Sequence, residues 1–292
     1  MLWFFLALGS AILSAAAAIA QKKVLFRLQA LEFSFLVSAI IALFSLGFVA
    51  VTDVTAVDQK TFFLLTVKSV MSGAAFLLVM FSLRQNQIST ALPLLGLTPG
   101  VTALMALPAL GESLQVWEWG GVGLMMAGTY LLEKPKAVQN GAFQGRWFEK
   151  SHHSIYGAVF LFALSSVLDR LLLGKMKIDP RIVLFYQNMI YCVMFACMLL
   201  LRKSFGRKLL MEGKSQMLFL VLIALLTLAY RYAQLEATAL APAALVLAVK
   251  RTSILFASFF GGRLFSDDRL PARLAGASLI VAAGFLILRN VV

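Results

Sequence analysis

The stretch Ala241–Phe260, APAALVLAVKRTSILFASFF, is apolar enough to cross a bilayer, yet Lys250 and Arg251 stand side by side near its middle. A cation at the centre of a membrane helix costs about 2.5–3.5 kcal/mol on insertion scales, so two adjacent cations are not expected to face lipid. They require a protein interior, a counter-charge or a water-filled cavity. The stretch therefore predicts a membrane helix with one face turned towards a polar interior.

The composition of the whole chain agrees with a membrane protein. Of 292 residues, 61% are hydrophobic and 13% are charged, whereas a soluble domain carries about 25% charged residues. The net charge of +13 could indicate a nucleic-acid partner, but the basic residues fall mainly in short loops between apolar spans. That position is typical of topogenic signals and of contact with anionic lipid headgroups, so we exclude nucleic acid. We expect a multi-pass protein of the cell membrane, in bacteria the inner membrane.

Ten apolar spans can be placed along the chain, each long enough to cross about 30 Å of hydrocarbon. They are continuous rather than alternating, which predicts an all-α integral membrane protein with ten transmembrane helices and not a barrel. The longest polar segment, Glu133–His153, divides the spans five and five. We therefore predict a first repeat at residues 1–135, a linker at 136–153 and a second repeat at 154–292. The predicted spans are 3–20, 31–51, 61–83, 88–110, 115–132, 155–174, 182–201, 216–235, 239–262 and 272–289.

The two halves of the chain align with one another in a common order. The fourth span ends like the ninth, the first like the sixth, and the fifth and tenth share their glycine spacing. Because five is an odd number, the second copy enters the membrane in the opposite sense, which predicts inverted repeats with a site near the midplane. The aligned residues are Pro99 with Lys250, Gly111-Glu112 with Gly262-Arg263, Gln21-Lys22 with Asp169-Arg170, and Gly120 and Gly128 with Gly276 and Gly284.

This pattern resembles a known family of transporters. The repeat size, the ending of the fourth span (Pro99, Gly111, Glu112) and the glycine-spaced span after it resemble the drug/metabolite transporter superfamily, EamA type. The resemblance covers almost the whole chain and implies a ten-helix permease that works by alternating access. The pair Lys250 and Arg251 also resembles the organophosphate and nucleotide-sugar branches, where adjacent basic residues hold the substrate phosphate.

The candidate site is built on Lys250 and Arg251, because an ammonium beside a planar guanidinium can bind a phosphate or carboxylate from two directions. The alternative is a structural salt bridge to Asp169 or Glu236. Each of these carboxylates either binds a coupling proton or neutralises a nearby cation. Further substrate-binding candidates are polar residues inside other spans, several of them on shared helical faces: Arg231, Tyr230, Gln234, Lys68, Ser72 and Gln187.

The function predicted from these residues is secondary transport of a small polar metabolite, anionic or zwitterionic, coupled to a proton or a counter-anion. The alternatives are a flippase for a lipid-linked phosphate or sugar and an organophosphate or anion exchanger. An enzyme is not expected, because neither an HExxH motif nor a nucleophile–base pair occurs, and the lack of a GxxxxGK loop argues against ATP drive. We expect no cofactor or metal, membrane lipids as neighbours, and a monomer or homodimer.

The orientation in the membrane has two interpretations. Most lysines and arginines outside the spans lie in loops on one side, and the positive-inside rule then places both termini outside the cytoplasm. The family resemblance implies that both termini are inside.

Overall fold

A computed structural model describes residues 1–53, 57–85, 95–112, 114–133, 153–202 and 213–253, with isolated positions of the last span. The described residues form α-helices with short 3-10 and π segments and contain no strand, which confirms the all-α prediction. A 3-10 turn at Leu46–Ala50 follows α2 and a π turn at Leu171–Lys175 follows α6. The helices are α1 (Leu2–Leu25), α2 (Ala30–Ser45), α3 (Gln59–Gln85), α4 (Thr98–Leu110), α5 (Val116–Glu133), α6 (His153–Arg170), α7 (Pro180–Leu201), α8 (Met217–Leu240) and α9 (Ala243–Lys250).

Six of these helical segments are long and apolar enough to span a bilayer, and α4 is a shorter apolar helix. This confirms the prediction of a multi-pass membrane protein. The six segments, each counted with any turn that continues it, are Leu2–Leu25, Ala30–Ala50, Gln59–Arg84, Ser154–Lys175, Pro180–Leu201 and Met217–Leu240.

Local sequence signals set several helix ends. The side chain of Glu32 accepts a hydrogen bond from the backbone N–H of Gln29 at 2.9 Å, which caps the start of α2. Asp179 caps α7 by accepting from the N–H of Arg181 at 2.7 Å. Gly111 ends α4 with φ at 65°, a left-handed conformation that glycine adopts without steric cost. These caps allow the connections between α1 and α2 and between α6 and α7 to be short.

The helix bounds differ from the predicted spans where polar residues extend a helix beyond the apolar core. Helix α8 continues to Leu240 instead of ending at 235, and α9 begins only at Ala243, after Pro242. Hydropathy marks the hydrocarbon segment, whereas backbone hydrogen bonding continues until a proline interrupts it. The described residues do not include 86–94, where the fourth predicted span begins, or most of the predicted linker. The boundaries of the two repeats stay a prediction.

The tenth predicted span is described at isolated positions, and each of them is helical. Ala283 belongs to an apolar cluster with Val122 of α5, and a Cβ added at Gly120 would lie 3.2 Å from Leu286. The tenth span therefore packs against α5, the helix that precedes the predicted linker.

The packing of the helices has the symmetry of two repeats. Helix α1 packs most extensively against α8, and α3 packs most extensively against α6. In the repeat, α1 corresponds to α6 and α3 corresponds to α8. The pair α1 with α8 therefore corresponds to the pair α6 with α3. In the same way, the pair α4 and α6 matches the pair α9 and α1. The pairs α2 with α7 and α4 with α9 match themselves. A pseudo-twofold axis therefore passes between α4 and α9, as an inverted repeat requires.

Close contact between α3 and α7 depends on Gly73. A Cβ at this position would lie 2.5 Å from the Met194 methyl group and 3.1 Å from the ring of Tyr191. The Tyr191 ring is fixed by its hydroxyl, which donates to Ser72 at 2.7 Å. Small residues at such crossings allow two membrane helices to approach.

We predict that Gly73→Ala lowers the free energy of unfolding by about 1–3 kcal/mol, because the added methyl group overpacks the crossing. Thermal unfolding of the purified protein in detergent measures the change. Gly9→Ala in α1 is the matched control, since a Cβ there meets nothing within 4 Å. Equal melting temperatures for the two variants would contradict the assigned packing.

Candidate functional site

The centre of the bundle contains an ion pair that is almost fully removed from solvent. Lys68, in the middle of α3, places its ammonium 2.7 Å from Oδ1 of Asp169 at the end of α6, and the two side chains are 0% and 4% exposed. A buried lysine with no counter-charge would be strongly unfavourable, so this contact explains how α3 can carry a cation. The pair joins the first repeat to the second.

Two glutamine side chains extend this pair into a network of cations. The amide oxygen of Gln187 on α7 accepts from the Lys68 ammonium and, at 2.8 Å, from the Arg231 guanidinium. The amide oxygen of Gln234 accepts from Arg231 at 3.0 Å and from the Lys250 ammonium. Both glutamines are buried. Each amide oxygen thus lies between two positive charges, in a position that an anionic oxygen could also occupy.

The positive charges exceed the negative charge around this network. Asp169 is the single carboxylate there among the described residues, and its second oxygen lies 3.7 Å from Arg231. Lys250 lies over the ring of Tyr230, with its ammonium 4.7 Å from the ring centroid. Arg251 donates to the hydroxyl of Thr98 at 2.8 Å. Within the part of the chain that the structure describes, neither of these two cations has an acidic partner within 4.0 Å.

Three of these cations, Arg231, Lys250 and Arg251, line a cavity of about 140 Å³ between the two halves of the chain. A second cavity of about 90 Å³ lies beside it and shares Arg231, Lys250 and Tyr230 as lining residues. Serine residues and Asp169 line the larger cavity, and the aromatic residues Phe76, Phe162 and Tyr230 line both cavities. The larger cavity is lined from the first repeat by Ser14, Gln21, Ser72 and Thr98, and from the second by Ser165, Ser166, Asp169, Gln234 and Arg251.

Comparison with known proteins agrees with this architecture. A model of the EamA-like transporter family matches residues 1–133. Residues 1–133 belong to the EamA-like transporter family. This family is part of the drug/metabolite transporter superfamily, and its match to the first half of the chain indicates a transporter of that type. No match was found among curated proteins.

One solved structure, described as "Crystal structure of protein", is similar to this chain over almost its whole length. The TM-score is 0.75 at 14% sequence identity, with 99% of this chain and 96% of that chain covered. At this identity the similarity shows the fold alone. It nevertheless extends beyond residue 133, so the second half of the chain also shares the fold of that structure.

The structure brings most of the predicted site residues together. Helices α3, α6, α7, α8 and α9 all contribute, and Arg251 follows the last residue of α9. The residues at the two cavities or bonded directly to their lining are Lys68, Ser72, Asp169, Gln187, Tyr230, Arg231, Gln234, Lys250 and Arg251.

Glu236 lies apart from the predicted group. Its carboxylate forms a hydrogen bond with Tyr232, which in turn bonds to Arg181 at the start of α7. It lines neither described cavity. The structural salt bridge considered for Lys250 and Arg251 is formed instead by Lys68, which takes Asp169 as its partner.

Sequence reasoning missed Thr98 and Tyr191. Thr98 accepts from Arg251 across the axis, and the Tyr191 hydroxyl donates to Ser72. A signal for Thr98 was available: it adjoins Pro99, which aligns with Lys250, and equivalent helices of an inverted repeat meet at the axis. Tyr191 had no such signal, because tyrosine is common in membrane bundles.

We predict that Asp169→Asn lowers the free energy of unfolding by about 3–5 kcal/mol, because it leaves Lys68 buried without a counter-charge. The double variant Lys68→Met, Asp169→Asn removes both charges and is expected to be less destabilised than Asp169→Asn alone. Chemical unfolding in mild detergent measures both variants and Lys68→Met. Strict additivity of the single effects would contradict a direct ion pair.

Proposed function

We propose that this transporter carries a small anionic or zwitterionic metabolite, and that Lys250 and Arg251 bind its negative group at the centre of the bundle. The observation that carries the proposal is the excess of cations around the cavity. Three basic side chains belong to the network and Arg251 lines the cavity beside it, while Asp169 is the one described carboxylate among them. Uncompensated positive charge inside a membrane protein is costly, and a bound anion would offset that cost.

The geometry around Lys250 and Arg251 supports binding rather than simple packing. Lys250 is held between the Tyr230 ring and the Gln234 amide, both neutral, and Arg251 rests on a threonine hydroxyl. Neutral partners satisfy hydrogen bonds but leave the charge available to a ligand. A cation that served only the fold would be expected to have a carboxylate partner, as Lys68 has. The cavity volume of about 140 Å³ suits a small ligand.

Asp169 is proposed as the counter-charge of the empty site. Its closer contact is with Lys68 at 2.7 Å, and its contact with Arg231 is looser at 3.7 Å. An entering anion could therefore take over Arg231 while Asp169 keeps Lys68. Ser72, Gln187 and Gln234 supply neutral hydrogen-bonding groups around it. Transport would follow from alternating access, with the two repeats rocking about this central site.

We predict that Lys250→Gln and Arg251→Gln each abolish transport while the protein still inserts into the membrane. Each variant removes a charge that would contact the substrate anion but preserves much of the side-chain volume. The substrate is first identified by thermal shift of the purified protein against phosphorylated metabolites, amino acids and organic acids. Uptake of the stabilising compound, in radiolabelled form, is then measured in proteoliposomes.

The matched control is Lys23→Gln, which removes a lysine charge outside the cavity. Lys23 is exposed at the end of α1, with its ammonium 4.3 Å from the centroid of the Phe219 ring. Uptake by this variant should equal that of the wild type. Wild-type uptake by both cavity variants would refute the anion site. If only a lipid-linked phosphate stabilises the protein, the flippase alternative replaces transport of a free metabolite.

A further inference from the structure

We infer that Arg170 acts as a gate residue, and that its pair with Glu112 closes the cavity at one end of the bundle. Breaking this pair opens the cavity towards that end. The inference goes beyond the anion site, because it concerns access to the cavity and does not depend on which substrate is bound.

Arg170 holds together the ends of three helices. Its Nε lies 2.6 Å from Oε1 of Glu112, directly after α4. Its Nη1 donates to the backbone carbonyl oxygens of Thr238 and Ala239, each at 3.0 Å, in the last turn of α8. These carbonyls have no partner within their own helix end, and a cation there is also favoured by the helix dipole. One side chain thus joins the first repeat, through Glu112, to two helices of the second.

The gate lies directly beyond the cavity. Asp169, the neighbour of Arg170 in sequence, lines the cavity, and so does Ser166 one turn earlier on α6. The side chains of Arg170 and Glu112 are 17% and 18% exposed, whereas those of Lys68 and Asp169 are almost fully buried. A partly hydrated pair separates at a lower cost than a buried pair. The outer pair is therefore suited to open and close, while the inner pair keeps the helices in register.

The turn that follows Arg170 packs against its guanidinium group. Leu171–Lys175 forms a π turn, in which the N–H of Met176 donates to the carbonyl of Leu171 at 2.9 Å. A Cβ at Gly174 would lie 2.7 Å from Nη1 of Arg170 and 2.9 Å from its Cζ. Only glycine leaves room for the guanidinium against this turn. Because π turns are rare and concentrate at functional sites, the local fold supports a specific role for Arg170.

The other end of the bundle has an equivalent contact with different chemistry. Lys22 aligns with Arg170, and its ammonium donates to the carbonyl oxygen of Leu83 near the end of α3, at 2.5 Å. Helix α3 is the equivalent of α8, so both basic residues reach the carbonyls of equivalent helices. At the position equivalent to Glu112 the sequence has Arg263, which is a cation. The Glu112 carboxylate therefore has no acidic equivalent at the aligned position of the second half.

The gate can be tested by the accessibility of a cysteine inside the cavity. Ser166→Cys is introduced after Cys192 and Cys197 have been changed to serine. A membrane-impermeant maleimide is then added to either side of sealed, oriented vesicles. We expect Glu112→Gln and Arg170→Gln each to raise the labelling rate from the Glu112 side about tenfold relative to the opposite side, because a charge-assisted hydrogen bond across the gate is lost. Gly174→Ala, which changes no charge, should have the same effect by displacing the guanidinium.

Glu118→Gln is the matched control at the same end of the bundle. Glu118 accepts only a local hydrogen bond in the described structure, from the N–H of Gln115 at 2.8 Å, so its variant should label like the wild type. A purely structural pair would lower the melting temperature and leave the ratio of labelling between the two sides unchanged. An unchanged ratio in Glu112→Gln and Gly174→Ala overturns the inference. Since the assay needs no substrate, its result is independent of the proposed anion site.

Discussion

The Lys68–Asp169 ion pair is the constraint on which the rest of the structure depends. A lysine in the middle of α3 is compatible with a membrane only if a carboxylate from another helix reaches it away from water. That requirement brings the end of α6 against α3 and unites the two repeats. Gln187 and Arg231 then take their positions from the same pair of charges. The fixed inner pair defines where a cavity can form.

The network separates two roles that charged residues play inside a membrane. Lys68 has a carboxylate partner and supports the fold, whereas Lys250 has neutral partners and retains its charge for other uses. Arg231 stands between the two roles, since it contacts both glutamines and only loosely contacts Asp169. Under the proposed function, this gradation from paired to unpaired cations would let an anion bind reversibly without unfolding the site.

Much of the fold could be predicted from the sequence. Exposing polar groups to lipid is costly, so membrane helices can be recognised as long apolar segments. The inverted repeat was predicted from several aligned positions, Lys22 with Arg170 among them, and the paired contacts of the helices agree with two related halves. The site was less predictable. Lys68 and Asp169 could each be selected as polar residues in apolar spans. Their pairing could not be predicted, because it depends on how α3 packs against α6 and not on their separation in the sequence. The bond between Arg251 and Thr98 depends likewise on a helix crossing.

The crossing of α4 and α9 has a consequence for how such a protein can be assembled. Equivalent helices meet at the axis, and there Lys250 stands opposite the region of Pro99. In a dimer of two identical five-helix chains, every residue at the axis would be present twice. Such a dimer would hold two lysine–arginine pairs facing one another, or none. A single charged pair therefore requires two halves that differ in sequence, and joining both repeats in one polypeptide provides them.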